Sequence, residues 1–373
     1  MCPKRDDAEQ TDPGCDGRAG KRDAAGPRSG PELRSDRRRF LGGVSGIGMV
    51  GSLTGLTRTG SGRTGPAVVG RRSRSEPSRR EKPAAAYSMT DLGTLGGAES
   101  IAAGVSRRGH VVGTSQRDDL VQHAFLWSDD EGMVDLGALT DRASRAMDVN
   151  GRCRVVGGSD VTEVRDTQFG TRYEAHPSHA FLWSDDGGMS DIHGVGDWSE
   201  ATAINERGDV VGNYRYFGED DSDAFVRSDG GVQSVDFGPG TLAHYAEDVN
   251  DSGRVAMSTW DIVGGPERAV VWSEREGPRE LGHLGGGDSS ALGISNSGRV
   301  VGESRTDDGA HHAFLWSDDE GMRDLGTLGG NYSAATAVNG RCQVAGVSQT
   351  ADGTHHAFLW SDDEGMRDLG TLG

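Results

Sequence analysis

Four histidines, His123, His179, His312 and His356, each stand in front of an Ala-Phe pair. Three acidic triplets, Asp129-Asp130-Glu131, Asp318-Asp319-Glu320 and Asp362-Asp363-Glu364, follow shortly after. Imidazoles and carboxylates are the side chains that hold divalent cations, but ligands must converge on one ion at about 2 Å. Matching positions of a repeat are spread apart instead, and neighbours such as His311 and His312 point to opposite faces of a strand. Each histidine is therefore expected to make a local hydrogen bond at a strand end. The acidic triplets lack the alternating spacing and the roughly six to eight oxygens of a calcium loop. They read as hydrated surface, and neither a metal nor a cofactor is expected.

The aromatic side chains differ, because some of them break the repeat. The connection before the Ala-Phe segment is short and polar at 304–310 and 348–354. In three earlier copies it holds Phe169 and Tyr173, then Tyr214, Tyr216 and Phe217, then Trp260. On neighbouring units these connections emerge on one rim, where aromatic faces suit a sugar ring or a protein surface. Phe169, Tyr173, Tyr214, Tyr216, Phe217 and Trp260 are thus the expected ligand-binding set. No nucleophile elbow, phosphate loop, zinc motif or paired-carboxylate site appears, so no catalytic residue is assigned. Two function classes follow: a non-catalytic binding or cell-surface module, and a polysaccharide-active hydrolase or lyase. Without a convergent, non-repeated polar set, binding is favoured over catalysis.

The elements that must position these residues are read from the repeat itself. Residues 311–329 and 355–373 are identical, HHAFLWSDDEGMRDLGTLG. The tryptophan of this segment recurs at Trp127, Trp183, Trp272, Trp316 and Trp360, with Arg227 in the third copy, mostly 44 or 45 residues apart. One unit has four short β-prone segments bounded by Gly, Asn, Asp or Ser: DLGTLGG, AATAVN, CQVAGV and HAFLW in the copy from Asp324. No apolar stripe of helical period occurs after residue 87. Four short strands in about 44 residues match one blade of a β-propeller. The expected fold is all-β, a propeller of about six four-stranded blades over 87–373, with seven blades as the alternative. In a closed ring, the strand at 87–95 completes the blade of the last HAFLW segment, and the copy at 366–372 is then surplus or the start of a truncated unit. Phe and Trp of the HAFLW segment share one strand face and should form core. Cys153 and Cys342 occupy a hairpin position where other units have Gly, and Gly151 and Gly340 should supply the turn's positive φ instead.

Charge divides the chain. Residues 1–82 carry a net +8 and the remainder −27, and all three lysines lie in the first part. An acidic, lysine-free surface is the kind that stays soluble where salt screens self-repulsion, and it excludes a nucleic-acid footprint. Arg37, Arg38, Phe40 and Leu41 resemble the twin-arginine export motif, followed by a mild apolar run to residue 57. That run is too short and weak for stable membrane insertion. The expected organisation is a signal region at 1–57, a Gly/Ser/Arg/Pro-rich disordered linker at 58–86 and the repeat domain at 87–373.

Together the HAFLW segment, the VNxxGxVVG hairpin and DLGTLGG resemble the HAF-type extracellular repeat family of bacteria and salt-loving archaea. The His-Ala-Phe triplet stands at His123, His179, His312 and His356, with Asp223 and Arg268 in place of histidine in units three and four. The resemblance implies an exported repeat protein at the cell surface and carries no catalytic residue. Its partner is not named by the sequence; a surface glycan or a protein fits best.

Overall fold

A computed structural model describes residues 90–373 apart from 167–171, 217–221, 229–230, 236, 238–242, 261–264 and 372–373. The export motif, the linker, Phe169 and Phe217 lie outside the described residues. Every named element is a β-strand. Among the described residues the strands form six four-stranded antiparallel units at 96–135, 144–191, 198–234, 243–280, 285–324 and 329–370, the last two linked by one parallel pairing of His311 with Tyr332. In each, the first strand pairs with the second, the second with the third and the third with the fourth. Sheet two adds a small hairpin, Glu163–Asp166 with Arg172–Ala175, inside the long connection where only a loop was expected.

The core lies between sheets, because strand alternation gives each sheet two apolar faces. The forward face of sheet five, with Val301, Ala313, Leu315 and Leu325, packs on Ala335, Val344, Phe358 and Trp360 of sheet six. The same pattern joins sheets two and three, three and four, and four and five. Phe125, Phe181, Phe225, Phe314 and Phe358 are all fully buried, as the alternation of HAFLW requires. Each such phenylalanine contributes roughly 2–3 kcal/mol through burial.

Hydrogen bonds lock one sheet to the next. Ser333 on the first strand of sheet six accepts from the Ala313 amide at 2.7 Å and donates to the Gly326 carbonyl at 2.6 Å. Ser144 and Ser289 make the same pair of bonds across their own boundaries. At the other end of the sheets, Asn150 Nδ2 donates to the Asn205 carbonyl, Asn205 to Asn250, and Asn250 to Ser295. These serines and asparagines bind each unit to its successor.

Three expectations are corrected. DLGTLGG is not a strand: Asp324 ends the fourth strand, Gly321–Asp324, and residues 325–327 form a connector. The fourth strand is Gly-Met-x-Asp, too short and too sparsely apolar to show periodicity. Nor is the last copy surplus, because Gly365–Gly370 pairs with His355–Ser361 as the fourth strand of sheet six. Thr90–Thr94 has no strand, and Leu95 only bridges to Arg117. Finally, the positive φ falls on Cys153 (61°) and Cys342 (62°) themselves, at the site of Gly109, Gly208, Gly253 and Gly298. Position in the hairpin, not the nearby glycine, dictates which residue turns left-handed.

Candidate functional site

Each histidine of the triplet is a strand-end clasp, as its chemistry suggested. His123, His179, His312 and His356 bond through Nδ1 to Asp135, Asp191, Asp324 and Asp368 at 2.8–3.0 Å. Asp135, Asp324 and Asp368 also accept the amide of the glycine two residues on, fixing the connector. The His356 hydrogen bond holds the Asp368 carboxyl below the usual carboxylate range. In sheet four both partners are exchanged together, and Arg268 pairs with Glu280 at 3.3 Å. Two of the acidic turns are likewise engaged within the fold. Asp318 pairs with Arg254 and Arg279, and Asp362 with Arg323.

What departs from the repeat gathers where the first strands begin and the second strands end. Register places Trp198 opposite Arg215 and Tyr245 opposite Ser258, so both lie at the rim from which the long connections leave. Sheets two, three and four are consecutive neighbours there. Arg215 lies over the Trp198 ring, 5.0 Å from its centre. Tyr216 is 48% exposed. Tyr245 and Trp260 stack at 5.2 Å, and the Tyr245 hydroxyl donates to Ser222 Oγ at 3.1 Å. Tyr332 on sheet six sits between His311 and His355.

Polar groups fill the same rim. Arg145 of sheet two pairs with Glu200 of sheet three. Ser290 donates to Glu267 at 2.8 Å and lies within the same distance of Ser258 Oγ. Burial raises the pKa of both Glu267 and Glu303, each next to another ionisable side chain. Glu247 is pushed up to about 7, first by burial and then by the carboxylates of Glu267 and Asp248. Further in, Asp148 is pushed up to about 7 by burial, although its two oxygens accept the Val149 and Ile204 amides. These three glutamates form a convergent, non-repeated set that the sequence did not disclose. Glu247 and Glu303 are strand residues and Glu267 stands just before a strand, and each looks ordinary until the six units are aligned and found to differ there.

Of the sequence-expected set, Trp260 and Tyr216 reach the rim. Tyr173 lies on the strand Arg172–Ala175 of the extra hairpin. Tyr214 does not take part: it is 5% exposed, belongs to the core between sheets two and three, and donates its hydroxyl to Ser234. Tyr214 and Tyr216 lie on one side of the chain with their rings edge to face at 5.8 Å; Tyr214, inside the strand, is covered by sheet two, and Tyr216, beyond the strand end, is left open. Trp198 and Tyr245 were missed because they lie within first strands rather than connections. Aromatic planes beside carboxylates and hydroxyls can stack on a ring and hydrogen-bond its substituents.

No family model matches the chain, and no curated protein sequence matches it significantly. Among solved structures, it is similar to a puromycin-hydrolyzing peptidase from Mycobacterium tuberculosis, at 13% identity and a TM-score of 0.51 over 74% of this chain. The chain spans 45% of that peptidase. The β-propeller domain of the trilobed protease from Pyrococcus furiosus matches at 11% identity and a TM-score of 0.48, over 74% of this chain and 82% of that domain. At this identity the peptidase likeness concerns the fold, which is an all-β propeller arrangement of four-stranded blades.

Proposed function

We propose that the chain is an exported, salt-adapted binding module whose aromatic rim on sheets two to four takes a cell-surface glycan. One observation carries this reading: Trp198, Tyr216 and the Tyr245–Trp260 stack gather at one rim, out of step with the repeat, beside hydrogen-bonding carboxylates. Pyranose rings offer C–H faces to aromatic planes and hydroxyls to carboxylates. Retention on a glycan or surface-extract array should be lost in Trp198→Ala, Tyr216→Ala and Trp260→Ala while the β-sheet circular dichroism is kept. Retention by the triple variant would end the proposal.

Resemblance to the HAF-type repeats supports an extracellular location. The Arg37-Arg38 pair with Phe40 and Leu41 supports twin-arginine export, and Arg37→Lys with Arg38→Lys should hold the protein inside the cell. A net −27 on an arginine-only repeat region supports salt adaptation. The melting temperature should then climb from about 0.1 M to molar KCl as screening relieves repulsion; a flat response would remove salt adaptation. A second reading, an exported polysaccharide hydrolase or lyase, is favoured by Glu247, whose carboxyl is pushed up to about 7 by burial and by Glu267 and Asp248, toward the range a general acid uses. Polysaccharide turnover by the purified protein that Glu247→Gln abolishes would establish it.

A further inference from the structure

Five sheet boundaries repeat one interface, and its two halves are left over at the ends. On the forward side, Ala269 and Ala313 are fully buried against the next sheet, whereas the matching Ala357 of sheet six is only partly buried. Ala345 and Leu369, which match the buried Val301 and Leu325, are also partly uncovered. On the rear side, Val155, Val210, Val255, Val300 and Val344 are at 0% exposure, but Val111 of sheet one is partly open. Ala102 departs in the same way from Ala146, Ala201, Ala246, Ala291 and Ala335, each fully buried.

The leftover halves also retain their polar fittings. Ser100 already donates to the Gly93 carbonyl at 2.7 Å, as Ser333 does to Gly326. Gly93 has φ 78° and bonds Asp91 as Gly326 bonds Asp324. Ser100 Oγ thus stands where Ser333 Oγ receives an alanine amide of the preceding sheet, and the Ala357 amide is the counterpart of that donor. Asn339, whose equivalents Asn150, Asn205 and Asn250 reach the following unit, turns to Gln343 instead. Among the described residues, no packing comparable to the other boundaries joins sheet six to sheet one.

We infer that sheet six of one copy receives sheet one of a second copy, continuing the blade-to-blade interface head to tail. The interface is heterologous, so each face can be blocked alone. Ala357→Arg closes the forward face and Ala102→Arg the rear face, both at partly open positions. Light scattering in molar KCl should show the parent chain growing beyond the single-copy mass as concentration rises, with each variant alone remaining single. An equimolar mixture of the two variants, each with one intact face, should form a one-to-one pair and nothing larger. A parent that stays single at all concentrations overturns the inference and points to closure within one chain. A variant that still pairs with itself overturns it in favour of a face-to-face contact. Unchanged near-ultraviolet circular dichroism in both variants separates blocked docking from unfolding.

Discussion

Ser333→Ala tests whether the serine clips hold the sheets together. Ser333 and Ala313 are both at 0% exposure, so removing the hydroxyl leaves the Ala313 amide buried and unsatisfied and withdraws the donor from the Gly326 carbonyl. An orphaned buried amide costs about 1–3 kcal/mol, and a second lost bond adds about 0.5–1.5 kcal/mol. Some of this is offset because alanine has no hydroxyl to desolvate, so a net loss of about 2–3 kcal/mol is expected. At about 2–4 °C per kcal/mol, the melting temperature should fall by about 4–12 °C. Ser100→Ala is the internal control. Ser100 holds the equivalent position on sheet one, is exposed, and makes its carbonyl bond without a preceding sheet behind it. Its loss should cost under about 1 kcal/mol. Urea unfolding of the two variants and the parent in the same salt measures both. Equal losses for Ser100→Ala and Ser333→Ala would refute the argument, since burial and the cross-sheet amide are what separate them.

The clasp of sheet four predicts a rescue. His312→Arg alone and Asp324→Glu alone should each weaken sheet five by roughly 0.5–1.5 kcal/mol. The double variant, which copies Arg268–Glu280, should recover most of the loss, and a double-mutant cycle with no coupling would count against a shared role for the pair. Asp148 sets a pH dependence. Its carboxyl holds its proton to about 7 in the fold but releases it near the ordinary carboxylate range when unfolded. The folded state binds more protons between those values, so this contribution to stability is full at low pH and is lost as pH rises through about 7. The stability difference between the parent and Asp148→Asn should shrink over that window, and a pH-independent difference in urea midpoints would contradict it.

Much of the architecture was legible because identical segments must take identical structure. The 44-residue period announced the blade, and the alternation in HAFLW announced that Phe314 and Trp316 share a buried face. The error over DLGTLGG has a physical source. Its leucines look like a half-buried strand, yet Leu325 is a single buried plug on a connector that Asp324 and Gly326 bend. At the rim, aromatics in long connections were visible as departures from the repeat, and Trp260 was found that way. Tyr214 was misplaced because it sits inside the strand end, where sheet two covers the side that Tyr216 leaves open. Glu247, Glu267 and Glu303 were invisible, because their convergence depends on two strands meeting the segment that leads into a third.

The serine clips and the asparagine relay each cross one sheet boundary and none reaches a second. Energetically this makes the domain a one-dimensional chain, whose stability sums the intrinsic terms of each unit and one coupling per boundary. Sheets one and six, with one coupling each, open at lower free energy than sheets three and four, with two. Amide-exchange protection should therefore rise from both ends toward the middle. That gradient puts the most protected backbone directly beneath Trp198, Tyr245 and Trp260.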